Sequence, residues 1–216
     1  MTQKNEIQTK PEKPVSKRVV FKSILCGASV IVSIIMSFIL ISRGDYPTRD
    51  PLSAIGEQNH ALFILWGIFT GLAVYFNLKL LASRLNFKSR LFEIALIIGC
   101  SMSIVTVTIV GLETWRRIIH ISSAMSFGVI CVLCVITLVI VKLRCKKNRK
   151  TSITYLTAIA LSAVIFIFTS INIGWFTAMT QVLVATVCLI IMFCSNFIEK
   201  WPKGYSQPSI EKTSAQ

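Results

Sequence analysis

The chain has 216 residues, of which 54% are hydrophobic and only 15% are charged, and its mean hydropathy is +0.70. This composition leaves too little polar surface for a soluble globular domain. A net charge of +14 would suit a nucleic-acid-binding protein, but the basic residues flank apolar stretches instead of forming a basic face. We therefore predict no nucleic-acid partner.

Six apolar stretches follow a polar, lysine-rich N-terminal segment. Residues 1–18 are predicted to be a disordered cytoplasmic tail, and residues 199–216 a second cytoplasmic tail. Between them, residues 19–198 form one domain whose six stretches each approach the twenty residues that cross a hydrocarbon core of about 30 Å. Helices are expected, because a lipid-exposed backbone must satisfy its own hydrogen bonds. The predicted spans are 19–41, 60–78, 91–112, 118–141, 153–171 and 175–197.

The distribution of Lys and Arg predicts the orientation. Nineteen of the 23 basic residues lie in the N-terminal segment through Lys22, in the C-terminal tail and in the loops 79–90 and 142–150, and four lie in the alternate connections. Basic residues near spans stay on the cytoplasmic side. The fold class is therefore an all-α polytopic membrane protein, an antiparallel six-helix bundle with both termini inside.

Small residues at four-residue spacing predict close helix packing. Gly67 and Gly71 form a G-x-x-x-G pattern in the second span, and Ala124 and Gly128 a similar pattern in the fourth. Packing inside the bundle is favoured over homodimerisation. The third span holds several Gly, Ser and Thr residues and is predicted to be the most enclosed helix.

Cysteines and charges inside the spans indicate little chemistry. Cys131 and Cys134 form a C-x-x-C pair, but the pair lies deep within its span and no cysteine lies in the outer segments. Packing is therefore favoured over a redox role. Glu93, the only acidic residue within a span, is predicted to snorkel and pair with Arg90. No span carries a charge at its middle, which disfavours a solute transporter.

The outer ends of the helices hold the best candidates for a site. The catalytic candidates are His120, His60, Glu57 and Glu113, and the candidate ligand-binding residues are Arg116, Arg117, Asp45 and Asp50. Acid–base chemistry on a lipid headgroup, axial ligation of a haem by the two histidines, and a solvated loop are the three hypotheses. The solvated loop is favoured. We predict neither a metal ion nor a cofactor.

If a site exists, His120 is its predicted centre. It opens the fourth span, where the helix dipole disfavours the charged imidazole. Arg116 and Arg117 precede it by one turn and suit a phosphate group.

Several motifs resemble a prokaryotic family of six-span membrane proteins related to the DRAM-type autophagy and lipid-remodelling proteins of eukaryotes. The motifs are Tyr46-Pro47, Asp50-Pro51-Leu-Ser53-Ala-Ile-Gly56, the Gly67/Gly71 helix and His120-Ile-Ser-Ser-Ala124. The family has a Ser-Glu-Leu-Gly-like run where this chain has Ser53-Ala-Ile-Gly56, so the acidic residue is missing, although Glu57 follows. The resemblance implies a factor connected with lipids, in the cytoplasmic membrane of a bacterium.

The leading hypothesis is a non-enzymatic membrane protein that binds lipid or another membrane protein. The alternative is an enzyme that acts on lipid headgroups at the outer face by His/carboxylate acid–base chemistry. The sequence does not decide whether the protein is an enzyme.

Overall fold

The computed structural model describes residues 17–46, 48, 50–110, 113–144, 149–173 and 177–198, with side chains from residue 23 onward except that of residue 173. These residues form seven α-helices and no strand. The helices are α1 (Lys17–Ser42), α2 (Leu52–Gln58), α3 (His60–Arg84), α4 (Arg90–Thr108), α5 (Thr114–Arg144), α6 (Arg149–Ile173) and α7 (Ala178–Phe193), the last continued by a π-turn (Cys194–Ile198). All except α2 are long and apolar enough to cross a membrane, which confirms the predicted six-span bundle. Residues 17 and 18 of the predicted N-terminal tail lie in α1. The rest of that tail and the whole predicted C-terminal tail lie outside the described residues.

Helix α3 is the central helix of the bundle. It packs against α1 and α4 most extensively and also contacts α2, α5 and α7. A larger share of α3 than of α4 is buried, so the prediction that the third span is the most enclosed was wrong. The polar residues of α4 do not all face a neighbouring helix, since Ser101 and Thr108 are exposed. The Thr108 hydroxyl donates to the carbonyl of Ile104 in the same helix (2.8 Å).

The helices extend past the predicted spans at their charged ends. Helix α3 continues six residues beyond position 78, so Lys79 and Arg84 lie on the helix and not in a loop. Helix α5 begins at Thr114 and ends at Arg144, and α6 begins at Arg149. Apolar length predicts the part of a helix inside the hydrocarbon core, whereas helical hydrogen bonding continues through the headgroup region. We call the end where α3 meets α4 and α5 meets α6 the inner end, and the opposite end the outer end.

Helix α2 closes the outer end of the bundle. The sequence predicted an irregular loop here, but Leu52 and Ile55 are buried, at 3% and 2% exposure. A Cβ atom at Gly56 would lie 2.6 Å from Cγ of Phe63, so only glycine permits this approach of α2 to α3. The carbonyl of Asp50 accepts a hydrogen bond from the backbone N–H of Ala178 at the start of α7 (2.7 Å). The segment is therefore part of the packed structure.

The G-x-x-x-G pattern of α3 packs against α4, as predicted. A Cβ atom at Gly67 would overlap the side chain of Val107, with Cγ2 only 2.8 Å away. A Cβ atom at Gly71 would overlap the Ser103 hydroxyl. Because each four-residue step along α3 is matched by a four-residue step back along α4, these two contacts define the antiparallel register of the pair.

The corresponding pattern of α5 does not pack inside the bundle. A Cβ atom at Gly128 would meet nothing within 4 Å, and Gly128 is exposed. Helix α5 instead contacts α4 through another face, where Ile130 and Cys131 lie against Gly99. The prediction of internal packing at Gly128 was wrong, because spacing identifies a face of a helix but not its neighbour.

The predicted orientation can be tested with single cysteines in a background from which the seven native cysteines are removed. Gln58 and Lys150 are exposed at opposite ends of the bundle. We expect an impermeant maleimide added to intact cells to label Gln58→Cys, and to label Lys150→Cys only after permeabilisation. Labelling of position 150 in intact cells would contradict the orientation that the basic residues predict.

Candidate functional site

The predicted outer-face residues are mostly solvent-facing. Glu113 and Arg116 form an ion pair of 3.1 Å in which the two side chains are 59% and 45% exposed. The Arg116 guanidinium lies 5.2 Å from the centre of the Trp115 ring, and Arg117 is exposed. An exposed pair of this kind contributes at most about 1 kcal/mol, and it leaves Glu113 partnered by an arginine and not by a histidine.

The other outer candidates do not converge. Asp45, Glu57 and His60 are exposed and Asp50 is partly buried. Asp50 takes part in the fold through its backbone carbonyl. In the described ranges, no hydrogen bond or ion pair joins either histidine to a carboxylate. The acid–base alternative and the haem hypothesis therefore stay predictions without a contact that supports them.

His120 joins two helices. Its Nδ1 lies 2.7 Å from the carbonyl oxygen of Thr106, in the last turn of α4. Because a carbonyl oxygen only accepts, Nδ1 carries the proton and donates. The Thr106 hydroxyl donates to Ser123 (2.9 Å), whose hydroxyl donates to the His120 carbonyl (3.0 Å). His120 thus satisfies a carbonyl that the end of α4 leaves without a helical partner.

The position of His120 within its helix differs from the prediction. Helix α5 begins at Thr114, so His120 does not open it. It lies beyond the first turn, where the dipole effect has fallen off. The His120 ring lies 6.3 Å from the ring of Phe63 on α3. Phe63 lies one turn inward from His60 along the same helix. Because of this ring contact, the two histidines lie on neighbouring helices about one turn apart in depth.

The inner end holds a buried cation that the sequence analysis assigned to a loop. Lys142 lies in the last turn of α5 and is 1% exposed. Its Nζ donates to the Ser195 hydroxyl (3.4 Å) and lies 4.8 Å from the centre of the Tyr155 ring. One signal in the sequence predicts this burial: Lys142 continues the spacing of the buried residues Cys131, Val135 and Leu138.

Two asparagines connect helices beside this lysine. Asn77 donates to the carbonyl of Cys26 on α1 (2.9 Å), and Asn196 in the π-turn donates to the Asn77 carbonyl (3.0 Å). Arg84 donates to the Asn196 carbonyl. Two buried acceptors, Ser152 Oγ and Asn196 Oδ1, have no partner among the described residues. The inner end is therefore held together by a polar network, which explains why polar residues are buried there.

A lateral groove lies between α3 and α4 beside the contact of Gly71 with Ser103, and both of these residues line it. Its volume is about 290 Å³, and its walls include Ile68, Leu72, Tyr75, Ile97, Cys100 and Ser101. Leu72 and Ile97 are 42% and 53% exposed, so the groove opens to the surroundings of the bundle. At its inner end the Lys79 ammonium donates to the Tyr75 hydroxyl (3.2 Å).

Glu93 lies on α4, one turn closer to the inner end than the groove residue Ile97. Glu93 is exposed in the first turn of α4, where a carboxylate is favourable. The predicted ion pair with Arg90 is not formed, since no cation among the described side chains lies within 4.0 Å of Glu93.

Comparison of the sequence with known protein families, characterised proteins and solved structures gives no match. The resemblance to DRAM-type relatives therefore stays a prediction. The six apolar helices define the class: this is an integral membrane protein.

Proposed function

We propose that the protein is a non-enzymatic membrane factor that binds membrane lipid in the groove between α3 and α4. The groove carries this proposal, because it is an apolar-walled concavity on the lipid-facing surface of a membrane protein. The predicted relationship to lipid-remodelling proteins supports the same function.

The size of the groove suits part of a lipid molecule. Ligand clefts usually measure about 300–1,000 Å³, and the 290 Å³ of this groove lies just below that range. The exposed walls at Leu72 and Ile97 suit an acyl chain lying along the helices. Tyr75, Ser101 and Ser103 add three hydroxyl-bearing residues to walls that are otherwise mainly apolar.

Affinity inside a membrane has a different source from affinity in water. Lipid tails are as apolar as leucine, so burying an acyl chain against α3 and α4 gains no hydrophobic free energy. The chain gains van der Waals contact where the groove matches its shape. Preference among lipids must then come from polar groups at the end of the groove, where Lys79 lies.

Filling the groove is expected to reduce lipid binding. Ser101 lines the groove and is exposed, so Ser101→Trp places a large ring in the space without disturbing the core. A phospholipid with a photoreactive diazirine within its acyl chain should crosslink wild-type protein mainly at residues 68–75 and 97–104. We expect Ser101→Trp to lower crosslinking there several-fold, as measured by peptide mass spectrometry.

The matched control is Ala163→Trp, because Ala163 is exposed on α6, away from the groove. This variant should crosslink in the groove as the wild type does. If crosslinks are spread evenly over all lipid-facing helices and Ser101→Trp does not change them, the proposed function is wrong.

A further inference from the structure

The register of α3 and α4 brings three charged side chains to the inner end of the groove. Gly67 contacts Val107 and Gly71 contacts Ser103, which defines the antiparallel register. Eight residues further along α3 and eight residues back along α4, Lys79 lies level with Ala95. Glu93 lies about 3 Å further toward the inner end at 1.5 Å per residue, and Arg90 lies one turn beyond it.

These three residues lie on the faces that line the groove. Lys79 follows Leu72 and Tyr75 at helical spacings of seven and four residues. Glu93 precedes Ile97 by four residues, and Arg90 precedes it by seven. All three are exposed. The helical periodicity therefore directs them toward the place where the headgroup of a lipid in the groove would lie.

The contacts of Lys79 hold its ammonium near the groove. Its Nζ lies 3.2 Å from the Tyr75 hydroxyl and 5.4 Å from the centre of the Tyr75 ring. These contacts direct the side chain back along α3 toward the lipid-facing space. Two cations and one carboxylate therefore lie on the helix faces that continue from the groove toward the inner end.

We propose that the groove selects a phospholipid whose headgroup carries a primary ammonium, of the phosphatidylethanolamine class. Lys79 and Arg90 donate to the phosphate, and the Glu93 carboxylate accepts from the ammonium. This inference rests on the proposed function, and it adds the chemical class of the lipid.

The charges distinguish this headgroup from two common alternatives. Phosphatidylcholine carries the same charges, but its quaternary nitrogen has no N–H to donate to Glu93. Phosphatidylglycerol has no cation and would leave the Glu93 carboxylate beside a phosphate. Both would still contact Lys79 and Arg90, so the difference among the three lipids reports on Glu93.

The test is competition among lipids. Wild-type protein is equilibrated in detergent micelles that contain equal amounts of phosphatidylethanolamine, phosphatidylcholine and phosphatidylglycerol with identical acyl chains, and bound lipids are counted by native mass spectrometry. We expect bound phosphatidylethanolamine to exceed each of the others about two- to fivefold, the range that exposed ion pairs reach. Glu93→Gln should reduce the difference between the ethanolamine and choline lipids, because the amide oxygen still accepts from the ammonium but carries no charge.

Two further variants separate the roles of the cations. Lys79→Gln should reduce the binding of all three lipids, because it removes a donor to the shared phosphate. Lys88→Gln is the matched control, since Lys88 is exposed in the connection between α3 and α4 and precedes the first helical position of α4. It should leave the preference unchanged.

The outcomes distinguish this inference from the function on which it rests. If the diazirine lipid crosslinks in the groove but wild-type protein binds the ethanolamine and choline lipids equally, the selectivity is wrong and lipid binding stands. Preference for phosphatidylglycerol would also overturn the role of Glu93. If no crosslink forms in the groove, both proposals fail. The wild-type competition needs no variant, so a misfolded variant cannot mask the result.

Discussion

Gly67→Ile and Gly71→Ile are each expected to lower the free energy of unfolding in detergent by about 1–3 kcal/mol, the range for overpacked interiors. The new side chain at position 67 would overlap Val107, and that at position 71 would overlap Ser103. Helices α3 and α4 must then separate, which loses the contacts along their shared length. The measurement is thermal or denaturant unfolding of each purified variant.

Gly128→Ile is the matched control, because the same substitution there meets nothing within 4 Å. A glycine inside a helix costs about 0.5–1 kcal/mol relative to alanine, so this variant should be as stable as the wild type or slightly more stable. Equal loss of stability in all three variants would show that the α3–α4 contact has no special role. A loss confined to Gly128→Ile would show that α5 uses that face for assembly.

Lys142→Ala is expected to cost about 2–5 kcal/mol of stability, the range for deleting a large buried side chain. The lysine is 1% exposed, and its removal leaves a cavity between α5, α6 and the π-turn. Its hydrogen bond to Ser195 and its contact with the Tyr155 ring are lost with it. The free energy of unfolding of the purified variant measures the effect.

Two variants make this result specific to a buried lysine. Lys150→Ala removes the same side chain from an exposed position on α6 and should change stability by less than about 0.5 kcal/mol. Lys142→Met keeps most of the volume and removes the charge, so it should lose less stability than Lys142→Ala. If Lys142→Ala and Lys150→Ala behave alike, Lys142 is solvated and the inner end is not packed as described.

The six spans and the all-α class could be predicted from the sequence alone. Twenty apolar residues cannot remain in water, and in lipid a helix is the form that satisfies their backbone. The G-x-x-x-G pattern also predicted a close helix contact correctly. These conclusions depend on composition and spacing along one segment, which are local properties of the chain.

The neighbours of each helix could not be predicted and are known from the packed structure. Gly67 and Gly128 both lie in small-residue patterns, yet one packs against Val107 and the other faces outward. Lys142 was counted among the cations of an inner loop, yet it is buried beside Ser195. Periodicity shows which residues share a face, but not what lies opposite that face.

For the candidate site, too, the sequence predicted which residues are unusual but not which residues they contact. The sequence identified His120 and Glu93 as unusual residues. It did not show that His120 donates to the Thr106 carbonyl, because that bond depends on where α4 ends relative to α5. Nor did it show that Glu93 and Lys79 lie at similar levels along the bundle, which follows from the α3–α4 register. A groove between two helices exists only once the helices are packed, so its position could not be predicted from either segment alone.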